Sequence, residues 1–283
     1  MSLRQKLEGD DLVIAPGIFD MVSALTAERV GFDALYLTGY GVSASHLGKP
    51  DAGFLTYRDM VDRARIACET VATPIIADAD TGFGGPPQVA ETVRGYERAG
   101  LAAIQIEDQH FPKRCGHTPG REVIAAEDMM RKIEVAAGAR VSDDFLIIAR
   151  TDARTDHGLE AAIARAASYA EAGADILFVE SPESEEELRL IGQAFAKKGS
   201  PFLMANMVAG GRTPIVPSSK LKELGFHLAI YPTYGLGLAA AALTTGYESL
   251  KTTGAATGDI DEGGKLEALN DLVRFSEIWQ FDD

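Results

Sequence analysis

Ala172-Gly173-Ala174-Asp175-Ile176 is one of four short stretches in which a glycine separates a helix-forming segment from an apolar run. The other three are Val30-Gly31-Phe32-Asp33-Ala34, Ala99-Gly100-Leu101-Ala102-Ala103 and Leu224-Gly225-Phe226-His227-Leu228. Glycine at such a position typically ends a helix in the left-handed conformation, after which the chain turns into a buried strand. The repeat therefore predicts four copies of a helix followed by a strand.

Eight apolar runs of strand length, without polar alternation, extend this pattern along the chain. They cover residues 12–15, 34–37, 74–77, 103–106, 146–149, 176–179, 202–205 and 228–231. Continuous apolar strands that alternate with amphipathic helices indicate a parallel sheet covered on both faces. Polar residues follow nearly every strand, and a ring of strand ends would gather them around one axis. The pattern therefore predicts an α/β protein with a closed (β/α)8 TIM-type barrel rather than an open doubly wound sheet.

The composition excludes several classes of protein. The 283 residues include 27 Lys and Arg against 42 Asp and Glu, a formal net charge of −15, and 46% of them are apolar. The acidic balance argues against a nucleic-acid or anionic-membrane partner. No apolar run reaches the length of a membrane span. The cysteines, Cys68 and Cys115, are too few for a disulfide framework, and residues 1–11 lack the apolar core of a secretory signal, so we expect a cytoplasmic protein.

One domain is predicted over residues 1–283, with a linker at 251–264 and a C-terminal helix at 265–283. Thr, Gly and Asp dominate the linker, which is typical of a flexible connector. An apolar stripe on the helix consists of Leu266, Leu269, Leu272, Val273, Phe275, Ile278 and Trp279. Such a stripe packs either on the chain's own barrel or on a neighbouring subunit.

Paired carboxylates follow two neighbouring predicted strands. Asp78 and Asp80 follow the third strand, and Glu107 and Asp108 follow the fourth. Carboxylates this close cost free energy unless a cation lies between them, and oxygen ligands favour Mg²⁺ or Mn²⁺. Helix capping or a solvated turn would explain one pair, but explains two pairs less well. The sequence therefore predicts a divalent metal site.

A basic segment, Lys113-Arg114-Cys115-Gly116-His117, lies shortly after the second carboxylate pair. The neighbouring positive charge favours the thiolate, so we expect the pKa of Cys115 to lie below the ~8.5 of a free thiol. The thiol is then a candidate acid or nucleophile. The alternatives are an incidental cysteine in a basic loop, and a zinc role for Cys115 and His117, for which the chain lacks the remaining ligands.

Further polar residues continue the ring of strand ends. Arg150 directly follows the fifth predicted strand, where an unpaired cation would be expensive. It pairs either with Asp152 or with a substrate carboxylate. Glu180 and Asn206 follow the next two strands, and the backbone amides of Thr38-Gly39-Tyr40-Gly41 can bind an anion.

Several of these stretches together resemble the isocitrate lyase and phosphoenolpyruvate mutase superfamily, along nearly the whole chain. They are Tyr36-Leu37-Thr38-Gly39-Tyr40-Gly41, Leu47-Gly48-Lys49-Pro50-Asp51, Asp78-Ala79-Asp80-Thr81-Gly82-Phe83-Gly84, Ile106-Glu107-Asp108-Gln109, Lys113-Arg114-Cys115-Gly116-His117, Ala149-Arg150-Thr151-Asp152-Ala153 and Ala205-Asn206-Met207-Val208. The resemblance implies a (β/α)8 barrel and a magnesium ion held by Asp78 and Asp80, with Glu107 acting partly through water. It also implies homotetramers whose terminal helices swap between subunits, which favours docking for the C-terminal helix.

The cysteine segment divides this superfamily. Branches that cleave carbon–carbon bonds of substituted malates or isocitrates have it, whereas phosphonate mutases, phosphonopyruvate hydrolases and one oxaloacetate decarboxylase branch lack it. The segment at 206–214 is more like dimethylmalate lyase, petal-death-type and oxaloacetate acetylhydrolase enzymes than methylisocitrate lyases. The resemblance thus implies a magnesium-dependent lyase acting on a di- or tricarboxylate. Oxaloacetate hydrolysis or decarboxylation is the alternative, and a phosphonate mutase or a non-catalytic metal-binding barrel is less favoured.

The resemblance also implies roles for individual residues. Arg150 and the amides of residues 38–41 would hold one end of a 2-hydroxy or 2-oxo acid, and Cys115 would protonate the carbanion left by bond cleavage. The resemblance does not identify the base, for which Tyr36 is one candidate and a metal-bound water another. The other implied site residues are Thr38, Gly39, Tyr40, Asp51, Gly116, His117, Glu180, Asn206 and Thr233. Among them, Gly116, His117 and Asn206 would bind the second carboxylate, and Thr233 falls where specificity varies.

Overall fold

Eight parallel strands close into a barrel in which each strand pairs with the next and β8 pairs with β1. The computed structural model describes residues 1–116, 120–256, 264–279 and 281. The strands are β1 Val13–Ile18, β2 Leu35–Leu37, β3 Ile75–Asp78, β4 Ala103–Glu107, β5 Leu146–Thr151, β6 Ile176–Val179, β7 Phe202–Asn206 and β8 Leu228–Tyr231. The predicted (β/α)8 barrel is confirmed, and the open sheet is excluded.

Helices connect the strands on the outside of the barrel. They are α1 Leu3–Leu7, α2 Met21–Val30, α3 Gly39–Val42, α4 Tyr57–Thr70, α5 Pro86–Arg98, α6 Ala126–Ala139, α7 Arg154–Glu171, α8 Glu185–Ala194 and α9 Ser218–Glu223. The four glycines of the repeat, Gly31, Gly100, Gly173 and Gly225, have φ angles of 91°, 95°, 104° and 90°. This left-handed conformation confirms the predicted end of each helix.

Two apolar layers stabilise the barrel. One fills its interior, where Tyr36, Ile76, Phe178 and other strand residues are buried, and the other lies between the strands and the surrounding helices. Leu3 and Leu7 of α1 belong to the interior layer, so this short helix closes the amino end of the barrel. Access to the interior is therefore from the carboxyl ends of the strands, where (β/α)8 enzymes carry their sites.

Four residues predicted to follow strands instead lie within them. Asp78, Glu107 and Asn206 are the last residues of β3, β4 and β7, and Arg150 is the last but one of β5. Backbone pairing does not depend on side-chain polarity, so the ladder continues past the end of each apolar run. In β4 and β5 this pairing places Glu107 directly beside Arg150.

The C-terminal region differs from its prediction. After β8 a long helix, α10 Tyr234–Thr253, occupies the first three residues of the predicted linker, while residues 257–263 lie outside the described part of the chain. The predicted helix at 265–283 is described as two short ones, α11 Leu266–Leu272 and α12 Ser276–Trp279. Arg274 breaks them apart with a φ of 59°, which an apolar pattern alone does not reveal.

The C-terminal helices attach to the chain's own barrel by their polar side chains. Arg274 and Asp271 make ion pairs with Glu28 and Arg29 of α2, at 3.0 Å each. No residue of α10, α11 or α12 is buried as described, and most of the apolar stripe stays exposed. None of the described helices has the length and apolarity to cross a membrane.

Candidate active site

Buried charged side chains are concentrated at the carboxyl ends of β3 to β6. In the described part of the chain, the buried acidic residues are Asp78, Asp80, Glu107, Asp108, Asp152 and Glu180, and the buried basic residues are Lys113, Arg121 and Arg150. Six carboxylates against three cations leave an excess of three negative charges when all of them are ionised. Burying unpaired charge is costly, so this end of the barrel favours the uptake of positive charge.

A cavity at this end brings most of the predicted site residues together. Its lining consists of Tyr36, Thr38, Tyr40, Asp51, Asp78, Cys115, Gly116, Arg150, Glu180, Asn206 and Thr233, together with Val208, Ile230 and Pro232. Val208, Ile230 and Pro232 have no functional group, so sequence analysis could not identify them as cavity residues. The predicted His117 lies outside the described residues. Cys115 and Asp78 therefore face one cavity, although they come from different parts of the chain.

The three predicted metal ligands are neighbours at the ends of β3 and β4. The amide of Asp80 donates to Asp78 Oδ1 at 3.0 Å, and the amide of Glu107 donates to the carbonyl of Asp80 at 2.9 Å. A Cβ at Gly39 would lie 2.6 Å from Asp78 Oδ2, so only glycine fits beside this carboxylate. Glu107 Oε1 is buried without a hydrogen-bond partner. This all-carboxylate donor set suits a hard divalent cation.

Lys113 provides positive charge at the same place. Its Nζ lies 2.9 Å from Asp80 Oδ1 and also pairs with Asp51. Burial raises the pKa of Asp80 to about 6 even though Lys113 acts in the opposite direction, and burial also raises the pKa of Glu107. With Lys113 on Asp80, no group of three or more acidic, His or Cys side chains converges closely enough to hold an ion, as far as the chain is described.

Arg150 makes the ion pair with Asp152 that the sequence offered as one of two alternatives. Its Nε and Nη2 each donate to the Asp152 carboxylate at 2.9 Å. Nη1 lies 3.4 Å from Glu107, and Nη2 also lies 3.4 Å from Glu180. These carboxylates raise the pKa of Arg150 although burial alone would lower it. Because Arg150 also lines the cavity, it can contact a substrate carboxylate while Asp152 fixes its orientation.

Tyr36 is poorly suited to act as a base. Its hydroxyl donates to Gln105 Oε1 at 3.0 Å inside the barrel. Burial and the negative charge of Asp78 raise the pKa of Tyr36 well above its usual value. The phenol is thus held in its protonated form.

The loop that carries Cys115 packs directly on Arg150. A Cβ at Gly116 would lie 2.4 Å from Arg150 Nη2 and 3.0 Å from the Glu180 carboxyl group. The hydroxyl of Ser181 donates to the carbonyl of Gly116 at 3.1 Å. The position of the thiol is thus coupled to that of the guanidinium.

Gly116→Ala is expected to lower turnover by about 100-fold, because the added methyl displaces either the loop or Arg150 by about an ångström. Steady-state kinetics on the preferred substrate measure the effect. Gly138→Ala on α6 is the matched control, since a Cβ there meets nothing within 4 Å. Equal turnover in the two variants would show that the contact with Arg150 has no catalytic consequence.

Barrels of this kind carry their catalytic residues at the carboxyl ends of the strands. In this chain the buried charged side chains and the cavity both lie at that end. Fold and site together therefore define a (β/α)8-barrel enzyme. The chain belongs to the phosphoenolpyruvate mutase and isocitrate lyase superfamily, because the family profile described as phosphoenolpyruvate phosphomutase matches residues 3–251. The predicted superfamily is confirmed.

Relatives within the superfamily cover almost all of the chain. A 2,3-dimethylmalate lyase from Eubacterium barkeri is 46% identical over 276 residues, which are 98% of this chain and 94% of the relative. A 2-methylisocitrate lyase from Aeropyrum pernix is 44% identical, over 98% of this chain and 85% of the relative. A crystal structure of 2,3-dimethylmalate lyase in a trigonal form superposes with a TM-score of 0.92 at 39% identity, covering 99% and 93% of the two chains.

Two further solved structures contain small acids. Oxaloacetate acetylhydrolase with the inhibitor 3,3-difluorooxalacetate has a TM-score of 0.93 and 34% identity, over 99% of this chain and 95% of that one. Phosphonopyruvate hydrolase with oxalate and Mg²⁺ has a TM-score of 0.86 and 27% identity, over 98% and 95%. The fold is thus shared by enzymes that differ in the bond they break.

Proposed function

We propose that this chain is a magnesium-dependent carbon–carbon lyase that cleaves a substituted malate to a 2-oxo acid and a second carboxylic acid. The observation that carries the proposal is the placement of Cys115 in the same cavity as Arg150 and Asp78. A thiol there can serve as an acid opposite a site for a carboxylate. The 46% and 44% identities to two lyases of substituted dicarboxylic or tricarboxylic acids support it.

One end of the substrate is held by Arg150 and by the backbone amides of residues 38–41. Asp152 occupies Nε and Nη2 of Arg150, so Nη1, which lies 3.4 Å from Glu107, is the nitrogen that would contact a substrate carboxylate. Asp78, Asp80 and Glu107 would hold the divalent ion, for which they would have to converge more closely than they do in this structure. When bound, such an ion stabilises negative charge that develops on the substrate oxygens. Mg²⁺ is proposed because a related structure contains it, with Mn²⁺ as the alternative.

Cys115 supplies the proton that completes the cleavage. A base removes the proton of the substrate hydroxyl, the oxygen forms the new carbonyl group, and the carbon–carbon bond breaks. The electron pair of that bond stays on the carbon beside the second carboxylate, until the thiol delivers its proton there. Glu180 lines the cavity and contacts Arg150, so it has a catalytic role in the proposal. Gly116, His117 and Asn206 would bind the second carboxylate.

The substituent of the malate is proposed to be apolar. A groove next to the cavity shares Tyr40, Cys115, Val208 and Thr233 with it and continues along residues 209–211 and the first turns of α10. Its described lining contains no charged side chain, so a third carboxylate would lose its hydration without gaining a counter-ion. An alkyl group has no comparable hydration to lose when it enters the groove.

A panel of purified substrates tests this proposal. We expect Mg²⁺-dependent release of pyruvate or a related 2-oxo acid from alkyl-substituted malates, with kcat/KM about 100-fold higher than for 2-methylisocitrate. Release of 2-oxo acid from neither substrate would reject the lyase assignment. A higher kcat/KM for 2-methylisocitrate would reject the apolar substituent but not the lyase reaction.

Oxaloacetate hydrolysis to oxalate and acetate is the second candidate. It is favoured by the TM-score of 0.93 to an oxaloacetate acetylhydrolase. Water would attack the carbonyl carbon in place of hydroxyl deprotonation, and the same thiol would protonate the departing carbanion. Oxaloacetate in the same panel separates the two reactions, because only hydrolysis yields oxalate.

A homotetramer with exchanged C-terminal helices is the proposed assembly. The exposed apolar residues of α11 and α12, among them Leu266, Leu269 and Ile278, support it, because a partner surface would remove them from water. Light scattering of the purified protein measures the mass directly. A monomeric mass at micromolar concentration would reject this assembly.

The cytoplasm is the proposed location. Neither Cys68 nor Cys115 is joined in a disulfide, and a proton-donating thiol must stay reduced. Recovery of the native protein in an extracellular or periplasmic fraction would contradict this location.

A further inference from the structure

The chain segment before Cys115 is held by the side chain of Gln109, which follows β4 and is 2% exposed. Gln109 Nε2 donates to the carbonyl of Arg114, and the amide of Arg114 donates to Gln109 Oε1, both at 2.9 Å. The primary amide therefore pairs with the backbone of Arg114 as a neighbouring strand would. Residue 114 is thereby fixed relative to the end of β4.

The segment after Cys115 is held from the opposite side by Ser181, which follows Glu180 at the end of β6. Ser181 is fully buried, and its hydroxyl donates to the carbonyl of Gly116 at 3.1 Å. Its φ of 61° is unusual for a residue other than glycine. Its amide donates to Glu180 Oε1 at 2.7 Å, and this bond holds the backbone in that conformation. Strain of this kind persists where the surroundings over-determine it, as at active sites.

We propose that Gln109 and Ser181 are positioning residues for the thiol of Cys115. They fix residues 114 and 116, one on each side of the cysteine, and so hold its sulfur towards the cavity. The catalytic meaning rests on the proposed function, because proton delivery needs the thiol within hydrogen-bond reach of the carbanion. The position of residues 114–116 does not depend on the proposed function, because it follows from the hydrogen bonds of Gln109 and Ser181.

Gln109 also contacts Asp152, the residue that orients Arg150. Gln109 is among the hydrogen-bonding groups that, with Arg150 and Arg121, lower the pKa of Asp152 against the effect of burial. Asp152 is the carboxylate that orients Arg150. The backbone of Arg114 and the guanidinium of Arg150 are thus both held by the same network of buried hydrogen bonds.

Two variants separate positioning from general stability. Gln109→Met keeps the length of the side chain but can neither donate to the carbonyl of Arg114 nor accept from its amide. Ser181→Ala removes only the hydroxyl, which lies 3.1 Å from the carbonyl of Gly116 and 3.2 Å from Glu180 Oε1. For each we expect kcat to fall about 10- to 100-fold. We expect KM and the inhibition constant of oxalate, which reports the Arg150 end of the site, to change less than threefold for Ser181→Ala.

Alkylation of Cys115 by iodoacetamide provides a readout that does not depend on catalysis. Mass spectrometry follows each cysteine separately, and Cys68 reacts slowly because burial raises its pKa to about 12. We expect the alkylation rate of Cys115 to rise about tenfold in both variants, because the released loop exposes the sulfur. Gln193→Leu, at an exposed position on α8, is the control and should react like the wild type.

The outcomes distinguish this proposal from the assigned reaction. Alkylation rates and kcat within twofold of the wild type in both variants would overturn the positioning role. If the wild type has no lyase activity but the variants are still alkylated faster, the proposed reaction is wrong. The positioning role of Gln109 and Ser181 is then retained. Ser181→Gly keeps access to the left-handed backbone without strain, so it folds even if Ser181→Ala does not, and it must show the same rise.

Discussion

Cys115→Ser is expected to lower turnover by about 100- to 10,000-fold, the range over which general acids contribute to enzymatic rates. A serine hydroxyl fits the space of the thiol but is a far weaker acid, so it cannot deliver the proton to the carbanion. The structure places Cys115 in the cavity with Arg150 and Asp78, which this role requires. Steady-state formation of the 2-oxo acid measures the loss.

Binding should survive the same substitution. Titration calorimetry of Cys115→Ser with Mg²⁺ and with pyruvate is expected to give affinities within threefold of the wild type, because neither ligand needs the thiol. Cys68→Ser is the control, since Cys68 is half-buried beside Gly100 and outside the cavity lining. Near-normal turnover of Cys115→Ser would remove the thiol from the mechanism.

Arg150→Lys should lower kcat/KM by about 100- to 1,000-fold, the cost typical of losing one group that stabilises developing charge. Lysine keeps the charge but loses the planar fork, so it cannot bind both oxygens of Asp152 and still present a nitrogen to the substrate. The buried carboxylates Glu107 and Glu180, each 3.4 Å from the guanidinium, would also lose a partner.

The substrate-binding part of this effect is measured by oxalate inhibition, which we expect to weaken about tenfold or more. Arg189→Lys on α8 is the matched control, because Arg189 pairs with Glu186 at the surface. Unchanged oxalate inhibition in Arg150→Lys would show that Arg150 is a purely structural partner of Asp152. That was the alternative that the sequence left open.

The order of strands and helices could be predicted because it depends on local signals. Gly173 and its three counterparts end helices in the left-handed conformation, and apolar runs such as 176–179 have the composition of strands buried on both faces. The break at Arg274 could not be predicted, because a stripe of apolar residues has nearly the same spacing in one helix as in two short helices.

Residues at strand ends could be predicted as site residues because the barrel brings all strand ends to one face. Asp78, Arg150 and Asn206 are examples, and each lines the cavity. Contacts made by loops were beyond prediction. The pairing of Lys113 with Asp80 depends on the path of the loop, as does the pairing of Gln109 with the backbone of Arg114. A glutamine that binds backbone has no sequence signature of its own.

A crystal structure of the wild type with Mg²⁺ and pyruvate would show the ion, the product and the thiol together. We expect an ion coordinated by the carboxylates at the ends of β3 and β4, with the pyruvate carboxylate on Arg150. We also expect the sulfur of Cys115 to lie within about 5 Å of the pyruvate carbonyl carbon, on the side from which the second carboxylic acid departs. An ion elsewhere, or a sulfur turned away from the carbonyl carbon, would contradict the proposed mechanism.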